Sequence, residues 1–289
     1  MIGPEKEPSL TPLTRGRGER PSTRPLPADR RGPPAFHVGV GHDIGRVRTT
    51  NEDSLIAITA LQQADSTLPY FGLFIVADGM GGHELGERAS RLAAQTFARE
   101  VMGQFGALWL GGSPGEEQVS IQEMLHNAMG KANQSVLRHF PGSGTTLTAC
   151  LVFTQQVFLA HIGDSRAYFV KEELRQISHD HSLVQRLIDV GQISPEEATR
   201  YAQRNVLLRA IGQTDDLEPE IVTYPWEPGA RLLLCSDGLW GAIPEKEILE
   251  TVRKSPTVQA ACTALVDLCN SAGGPDNISV VLVEMTGGE

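Results

Sequence analysis

Five apolar runs of this sequence end or begin at acidic residues, and such residues can hold divalent cations. The acidic residues are Asp78 (FIVADGMGGH), Asp164 (VFLAHIGD), Asp237 (RLLLCSDG), Asp276 (GGPDNISVVLV) and the pair Glu52-Asp53 (NEDSLIAITA). A carboxylate at the edge of a core is costly unless something neutralises its charge. Where the runs are neighbouring strands, their ends gather several carboxylates into one patch, which is unstable without bound cations.

The potential ligand atoms in this pattern are all oxygens, which select hard dications, Mg²⁺ or Mn²⁺, over zinc. Glycine follows both Asp78 and Asp237, and a glycine lets a backbone carbonyl approach a metal without a Cβ in the way. The alternative is that each aspartate caps a turn, as Asp-Gly often does. Repetition of the pattern at five runs favours a metal cluster.

The elements that must position these residues are predicted from hydrophobic periodicity. Strands are predicted at 36–40, 54–60, 71–77, 145–153, 157–162, 167–170, 231–235 and 278–284. Helices are predicted at 84–103, at 119–137, after the capping box Ser194-Pro195-Glu196-Glu197, and between Ser255-Pro256 and Gly273. This grouping predicts antiparallel sheets packed against helices in one layered domain.

The first 35 residues differ in composition from the rest. They hold 8 of the 18 prolines and carry a net charge of +3. The whole chain carries −10, so the remaining residues carry −13. We expect residues 1–35 to be a disordered tail, with a basic docking arm as the alternative, and residues 36–286 to be the folded domain. The acidic domain disfavours nucleic acid as a partner, because phosphate backbones bind basic surfaces.

Further sequence features limit the class of protein. No membrane span or secretory signal is visible, and the four cysteines lack CxxC spacing, which predicts a cytoplasmic protein with reduced thiols. No cysteine has an arginine six positions later, so a Cys-x₅-Arg mechanism is excluded. The GxxxxGK[ST] phosphate loop is also missing, which disfavours nucleotide hydrolysis by that route.

Six short motifs occur in the order seen in PP2C-type (PPM) protein phosphatases. They are Gly45-x-x-Arg48-x-x-Asn51-Glu52-Asp53, Asp78-Gly79-Met80-Gly81-Gly82, Gly144-Thr145-Thr146, Gly163-Asp164-Ser165-Arg166, Ser236-Asp237-Gly238-Leu239 and Gly274-Pro275-Asp276-Asn277. Each motif alone is weak, but together they closely resemble this family, and DGMGG resembles its bacterial branch. The resemblance implies an α+β fold, a four-layer α-β-β-α sandwich of two antiparallel sheets flanked by helix pairs. It also implies a binuclear metal site at one end and a small flap at about 181–212, a segment that could equally be scaffold packing.

The resemblance implies roles for the matching acidic residues. Asp78 resembles the carboxylate that bridges two metals, and Gly79 resembles the residue that lends its carbonyl. Asp237 and Asp276 resemble ligands of one metal. Glu52 resembles a ligand of the other metal, partly through water.

Three more residues take their expected roles from the same resemblance. Asp53 resembles the residue that holds ligating waters, and Asp164 resembles the residue that, with Asp237, forms a weaker third metal site in bacterial members. Arg48 resembles the arginine that grips the substrate phosphate, for which its planar fork is suited. The alternative for Arg48 is an ordinary surface arginine.

One position departs from the animal branch of the family. Animal members have His, the proposed general acid, where Met80 stands. Met80 cannot transfer a proton, so the leaving alkoxide must take its proton from metal-bound water or another group. His83 is a weaker candidate for that role.

The predicted function is that of a protein serine/threonine phosphatase. Two dications about 3.5–4 Å apart lower the pKa of a shared water, and a water bridging two Mg²⁺ or Mn²⁺ ions would attack phosphoserine and phosphothreonine. We expect a monomer that acts on proteins phosphorylated by a serine/threonine kinase, a specificity that comes from the resemblance alone. The alternatives are a non-catalytic phosphatase-like regulatory binding domain and an enzyme for small phosphate esters.

Overall fold

The computed structural model describes residues 3, 35–60, 70–81, 84–109, 119–198 and 201–286. The chain divides into two units, Met1–Arg31 and Gly32–Glu289, and the strands and helices of the described residues lie in the second. The predicted tail, residues 1–35, falls outside the described residues except at Gly3 and at Ala35, where the first strand begins.

Eleven strands form within the described residues, and they build two antiparallel sheets. Their bounds are β1 Ala35–Asp43, β2 Asp53–Ala60, β3 Phe71–Met80, β4 Gly144–Thr145, β5 Leu147–Phe153, β6 Gln156–Ile162, β7 Arg166–Val170, β8 Leu174–Gln176, β9 Glu220–Pro225, β10 Arg231–Cys235 and β11 Ile278–Thr286. The first sheet has the strand order β1-β11-β10-β7-β8, and the second has the order β2-β3-β5-β6-β9. Strand β4 pairs with β3.

Seven helices form within the described residues. Their bounds are α1 Glu84–Trp109, α2 Ile121–His139, α3 Leu183–Asp189, α4 Pro195–Ala198, α5 Asp237–Trp240, α6 Glu245–Lys254 and α7 Val258–Ser271. Helices α1 and α2 pack on the second sheet, whereas α6 and α7 pack on the first. Among these helices none combines the length and the apolar character that a membrane crossing requires.

Strand β3 shows why the layers stack as they do. Its residues from Phe71 to Ala77 are all buried, and successive side chains of a strand point to opposite faces. Leu73 and Ile75 therefore belong to the hydrophobic cluster under α1 and α2, while Phe74 and Val76 belong to the cluster between the two sheets.

Strand β11 repeats this alternation in the first sheet. Val280 and Leu282 pack into the cluster with α5, α6 and α7, while Val281 and Val283 face the cluster between the sheets. The order of layers is thus helices, sheet, sheet, helices, and the predicted four-layer α+β sandwich is confirmed.

The last helix begins later than the sequence predicts. Ser255 lies at the end of α6, where its hydroxyl donates to the carbonyl of Thr251 at 2.7 Å. Thr257 is the N-cap of α7, and its Oγ1 accepts from the N–H of Ala260 at 3.1 Å. Proline at position 256 therefore separates two helices instead of opening one.

Candidate active site

The two sheets bring the predicted aspartates to one end of the sandwich. Asp164 lies just before β7, Asp237 lies just after β10, and Asp276 lies just before β11. These strands are antiparallel neighbours, so the three positions meet at one edge of the first sheet. In the second sheet, Asp53 at the start of β2 pairs with Asp78 near the end of β3.

Asp53 links the ends of the two sheets. Its Oδ2 accepts a hydrogen bond from the Ser236 hydroxyl at 2.8 Å, and it is only 4% exposed. Its Oδ1 is buried and finds no hydrogen-bond partner among the described residues. Burial, and then the charges of Asp237 and Asp276, raise the pKa of Asp53 to about 7, although two serine hydroxyls oppose this shift.

Asp237 shares with Asp53 a buried carboxylate oxygen and a raised pKa. Its Oδ1 is also buried with no partner in the part of the chain that the structure describes. Burial, and then the charge of Asp276, raise the pKa of Asp237 to about 6, and a hydrogen bond with Asp78 partly offsets the increase. Both carboxylates therefore lack the neutralising partners that a buried charge needs.

Asp78 and Asp164 complete this electrostatic group. The pKa of Asp78 is raised well above its ordinary value by burial, and then by the charges of the other aspartates. The pKa of Asp164 is raised likewise by burial and by Asp237, while Arg166 lowers it. The backbone of Asp164 is fixed by Trp240, whose Nε1 donates to its carbonyl at 3.0 Å.

Two threonines hold the backbone of Asp78. Its carbonyl accepts from the N–H of Thr146 and from the Thr145 hydroxyl, both at 2.8 Å, and its own N–H donates to Thr146 Oγ1 at 2.9 Å. The strand predicted at 145–153 is interrupted at Thr146, because that residue serves Asp78 and not the sheet ladder.

Arg48 lies over the site and binds one of its aspartates. Its Nη2 donates to Asp276 Oδ2 at 2.7 Å, and its side chain is 51% exposed. The hydrogen bond to Asp276 raises the pKa of Arg48 against the opposing effect of burial, and Glu52 and Asp78 add to the increase. Among the described residues, no three of the predicted carboxylates place one oxygen each within 4.8 Å of one another. One of these carboxylates, that of Asp276, accepts the hydrogen bond from Arg48.

Glu52 and Gly79 lie against the start of α1. The Glu52 carbonyl accepts from the N–H of Gly79 at 3.1 Å and from the Ser90 hydroxyl at 2.6 Å. A Cβ at position 79 would lie 2.2 Å from the Gly86 carbonyl oxygen, and one at position 86 would lie 2.9 Å from Glu52 Oε2. The backbone contact requires glycine at position 79, whereas a side chain at position 86 would displace the Glu52 carboxylate.

Asn277 is a structural residue to which the sequence analysis assigned no role. Its Oδ1 accepts from the N–H of Glu52 at 2.8 Å, and its Nδ2 donates to the carbonyls of Ile44 and Thr50, each at 3.0 Å. Asn277 thereby holds the loop that carries Arg48 and Glu52. The feature of the sequence that could have identified this role is the place of Asn277 in the Gly-Pro-Asp-Asn motif.

Met80 contacts Gln213, the residue immediately after the segment predicted to be a flap. The Gln213 side-chain amide donates to Met80 Sδ at 3.7 Å. His83, the weaker candidate for a proton donor, lies outside the described residues.

The segment from residue 181 to residue 212 closes on itself beside β4. Leu183 N–H donates to the Val206 carbonyl at 2.9 Å, and Leu208 N–H donates to the His181 carbonyl at 2.8 Å. The predicted capping box is present at Ser194 and Glu197, with reciprocal bonds of 2.8 and 3.2 Å. Positions 199 and 200 are not among the described residues.

The arrangement suits divalent cations better than any role within the fold itself. Buried carboxylate oxygens without partners, with pKa values above their ordinary range, are sites that a hard dication stabilises. Oxygen donors alone favour Mg²⁺ or Mn²⁺.

The fold and this site together define a class of protein. Residues 47–281 match the family model described as protein phosphatase 2C. The chain therefore belongs to the protein phosphatase 2C family.

Individual relatives are bacterial. The serine/threonine phosphatase stp of Listeria monocytogenes serotype 4b (strain F2365) is 35% identical over 86% of this chain and 96% of its own. Protein phosphatase PhpP of Streptococcus pneumoniae serotype 2 (strain D39 / NCTC 7466) is 35% identical over 84% and 95%. The solved catalytic domain of PstP, in complex with two manganese ions, has a TM-score of 0.70 and 32% identity, and covers 88% of this chain and 100% of that one.

Proposed function

We propose that this chain is a metal-dependent protein phosphatase that hydrolyses phosphoserine and phosphothreonine in other proteins. The observation that carries the proposal is the convergence of buried, unneutralised aspartates from both sheets beside an exposed arginine. The family and the named phosphatase relatives agree with it. They favour catalysis over a regulatory binding domain.

The proposed ligands of two Mn²⁺ or Mg²⁺ ions are those that the sequence predicts. Asp78 would be shared by both ions, Asp237 and Asp276 would bind one, and Glu52 with the Gly79 carbonyl would serve the other. The solved PstP domain with two manganese ions supports the number of ions. When bound, such ions lower the pKa of water and stabilise charge on phosphoryl oxygens.

Two further aspartates would act around these ligands. Asp53, held by the Ser236 hydroxyl, would orient ligating waters through its Oδ1. The charge of Asp237 raises the pKa of Asp164, and these two carboxylates would form a weaker third metal site.

Arg48 would bind the phosphate of the substrate. Its guanidinium already binds a carboxylate oxygen of Asp276, and the same planar fork accepts two phosphoryl oxygens. Half of its side chain is exposed, so a phosphopeptide can reach it from solvent.

The leaving alkoxide must be protonated without Met80. A thioether carries no exchangeable proton, and the Met80 sulfur already accepts from Gln213. Water or another group near the site must therefore supply the proton.

We further propose a cytoplasmic monomer that reverses the action of a serine/threonine kinase. The acidic domain and the phosphatase relatives support phosphoproteins, not nucleic acids, as partners.

A phosphothreonine peptide assay with Mn²⁺ tests the proposed function. We expect turnover that is lost in excess EDTA, restored by Mn²⁺, and abolished by Asp237→Asn, because Asn cannot supply the charge that a dication requires. Asp267→Asn, at an exposed position of α7, is the control and should be fully active.

Full activity of Asp237→Asn, or full activity in EDTA, would contradict the proposal. Rapid hydrolysis of p-nitrophenyl phosphate without any hydrolysis of phosphopeptides would favour an enzyme for small esters.

A further inference from the structure

A second group of metal-binding side chains lies apart from the aspartates. His161, His181 and Glu220 each place one ligand atom within 4.8 Å of the other two. His161 on β6 lies directly opposite Glu220 on β9. His181 comes immediately before Ser182, the N-cap of α3, so the group joins the second sheet to the segment that begins there.

The spacing of the two imidazole rings is compatible with one tetrahedral ion. Their centroids lie 5.0 Å apart, with 28° between the ring planes. Two imidazoles bound to one tetrahedral ion at Zn–N distances of about 2.0–2.1 Å have centroids roughly 5 Å apart.

Both rings are held in the form that binds metals. Burial lowers the pKa of His161 to about 4, and burial followed by the neighbouring His161 lowers that of His181 to about 3. Neutral imidazole is the ligand form. Burial raises the pKa of Glu220, so a cation beside this carboxylate would lower the free-energy cost of its buried negative charge.

The hydrogen bonds of His161 involve both of its ring nitrogens. Its Nδ1 lies 2.9 Å from Thr148 Oγ1, and its Nε2 lies 3.0 Å from the His179 carbonyl. The Thr148 hydroxyl also donates to the Ser165 carbonyl at 2.9 Å. A carbonyl oxygen only accepts, so the Nε2 N–H donates to His179, and an ion bound at either ring nitrogen would replace one of these hydrogen bonds.

Three further contacts involve the group or its surroundings. The N–H of His179 donates to Glu220 Oε2 at 3.0 Å, so an ion would share that carboxylate with the backbone. The N–H of Gly163 donates to His181 Nδ1 over a long distance of 3.2 Å. Arg209, whose charge acts on His181, forms an ion pair with Glu218 at 3.2 Å.

We propose that His161, His181 and Glu220 form a binding site for a zinc-class divalent ion, separate from the all-oxygen centre. Two imidazoles and a carboxylate favour Zn²⁺ or Co²⁺ over Mg²⁺ and leave a fourth position for water. His161 is three residues before Asp164, and His181 opens the segment 181–212, whose Ile211 pairs with Thr145 of β4. Occupancy would therefore fix that segment to the sheet beside the active site.

Cobalt titration of the full-length chain tests the site independently of phosphatase activity. The Asp237→Asn background weakens Co²⁺ binding at the oxygen centre. We expect one equivalent of Co²⁺ to give the visible d–d absorption of a four-coordinate ion with nitrogen ligands, and Zn²⁺ to abolish it by displacement.

Three variants made in that background assign the signal. His181→Gln and Glu220→Gln should each lose the absorption, while His179→Gln should keep it. His179 is the matched control, because its ring bonds to Asp189 and not to the group. Circular dichroism checks that each variant is folded, and Glu220→Gln decides the matter if His181→Gln is not.

Two results would overturn the proposal. One is the absence of visible absorption at one equivalent of Co²⁺. The other is an absorption that folded Glu220→Gln retains in full, or that His179→Gln loses as completely as His181→Gln.

Discussion

Asp43 and Asp237 show two opposite uses of an aspartate at the end of a strand. Asp43 Oδ1 accepts from the N–H of Gly45 at 2.8 Å, and this backbone bond is the main reason why the pKa of Asp43 is lowered. Asp237 Oδ1 is buried without a partner among the described residues, and its pKa is raised. Asp43 therefore caps a turn, whereas the buried, unpartnered oxygens of Asp53 and Asp237 support the proposed cation site.

The substitution Asp237→Asn should stabilise the metal-free protein, and more strongly at higher pH. The folded-state pKa of about 6 exceeds the ordinary value of 3.8, so the folded protein holds this proton more tightly than the unfolded chain. The resulting cost is absent below the ordinary pKa, grows as the pH rises, and is complete above the folded-state pKa.

Thermal unfolding in EDTA measures this effect. The melting temperature of Asp237→Asn minus that of the parent should be small near pH ~4 and largest above pH ~6.5. The buried histidines titrate alike in both proteins, so their contribution cancels. A difference that does not vary with pH would show that the Asp237 carboxyl is not the source.

Arg48→Lys should lower kcat/KM for a phosphothreonine peptide about 10- to 100-fold, because the bidentate charge-assisted bond is lost while the charge remains. Arg46→Lys, in the same loop and 58% exposed, is the control and should change little. Binding of Mn²⁺ by both variants, followed by calorimetry, should match the parent. Equal kinetics for the two variants would make Arg48 a surface arginine.

At the scale of elements, the sequence predicted what depends on local periodicity and missed what depends on distant partners. The strand through Phe74 was predicted, because a continuous apolar run needs no partner to be recognised. Helix α6 was missed, since only Ile248 and Val252 of its ten residues are buried. The bond from Ser236 to Asp53 spans 183 residues, and nothing in either local sequence specifies it.

Gly86→Ala should weaken Mn²⁺ binding, because its new Cβ would lie 2.9 Å from Glu52 Oε2 and displace that carboxylate. Gly103→Ala in the same helix is the matched control, since nothing lies within 4 Å of its added Cβ. Both changes improve helix propensity by about 0.5–1 kcal/mol. Calorimetric Mn²⁺ affinity should fall only in Gly86→Ala, and equal affinities would remove Glu52 from the proposed ligands.

At the scale of the whole molecule, charge is divided between the two parts of the chain. Residues 1–35 carry +3 and the remainder carries −13. The aspartates of the candidate active site lie at one end of the sandwich. The family assignment and the prediction of a metal-dependent phosphatase agree with this clustering of carboxylates. The disordered tail stays a prediction.

Deletion of residues 1–34 should leave the melting temperature and the kcat on a short phosphopeptide unchanged, because composition predicts no core in this segment. Both quantities are measured on the full chain and on the truncated chain. A loss of activity toward a phosphoprotein alone would favour the basic docking arm. A fall in melting temperature would contradict the prediction of a disordered tail.

The hydrogen bond between Ser236 and Asp53 has a consequence for how this enzyme fails. Each half of the sandwich carries only part of the acidic cluster, so neither half is a smaller version of the enzyme. Catalytic activity therefore depends on the position of one half relative to the other. Under the proposed mechanism, a displacement of one half against the other by about 1 Å would lower activity about 100-fold while every strand and helix remained intact.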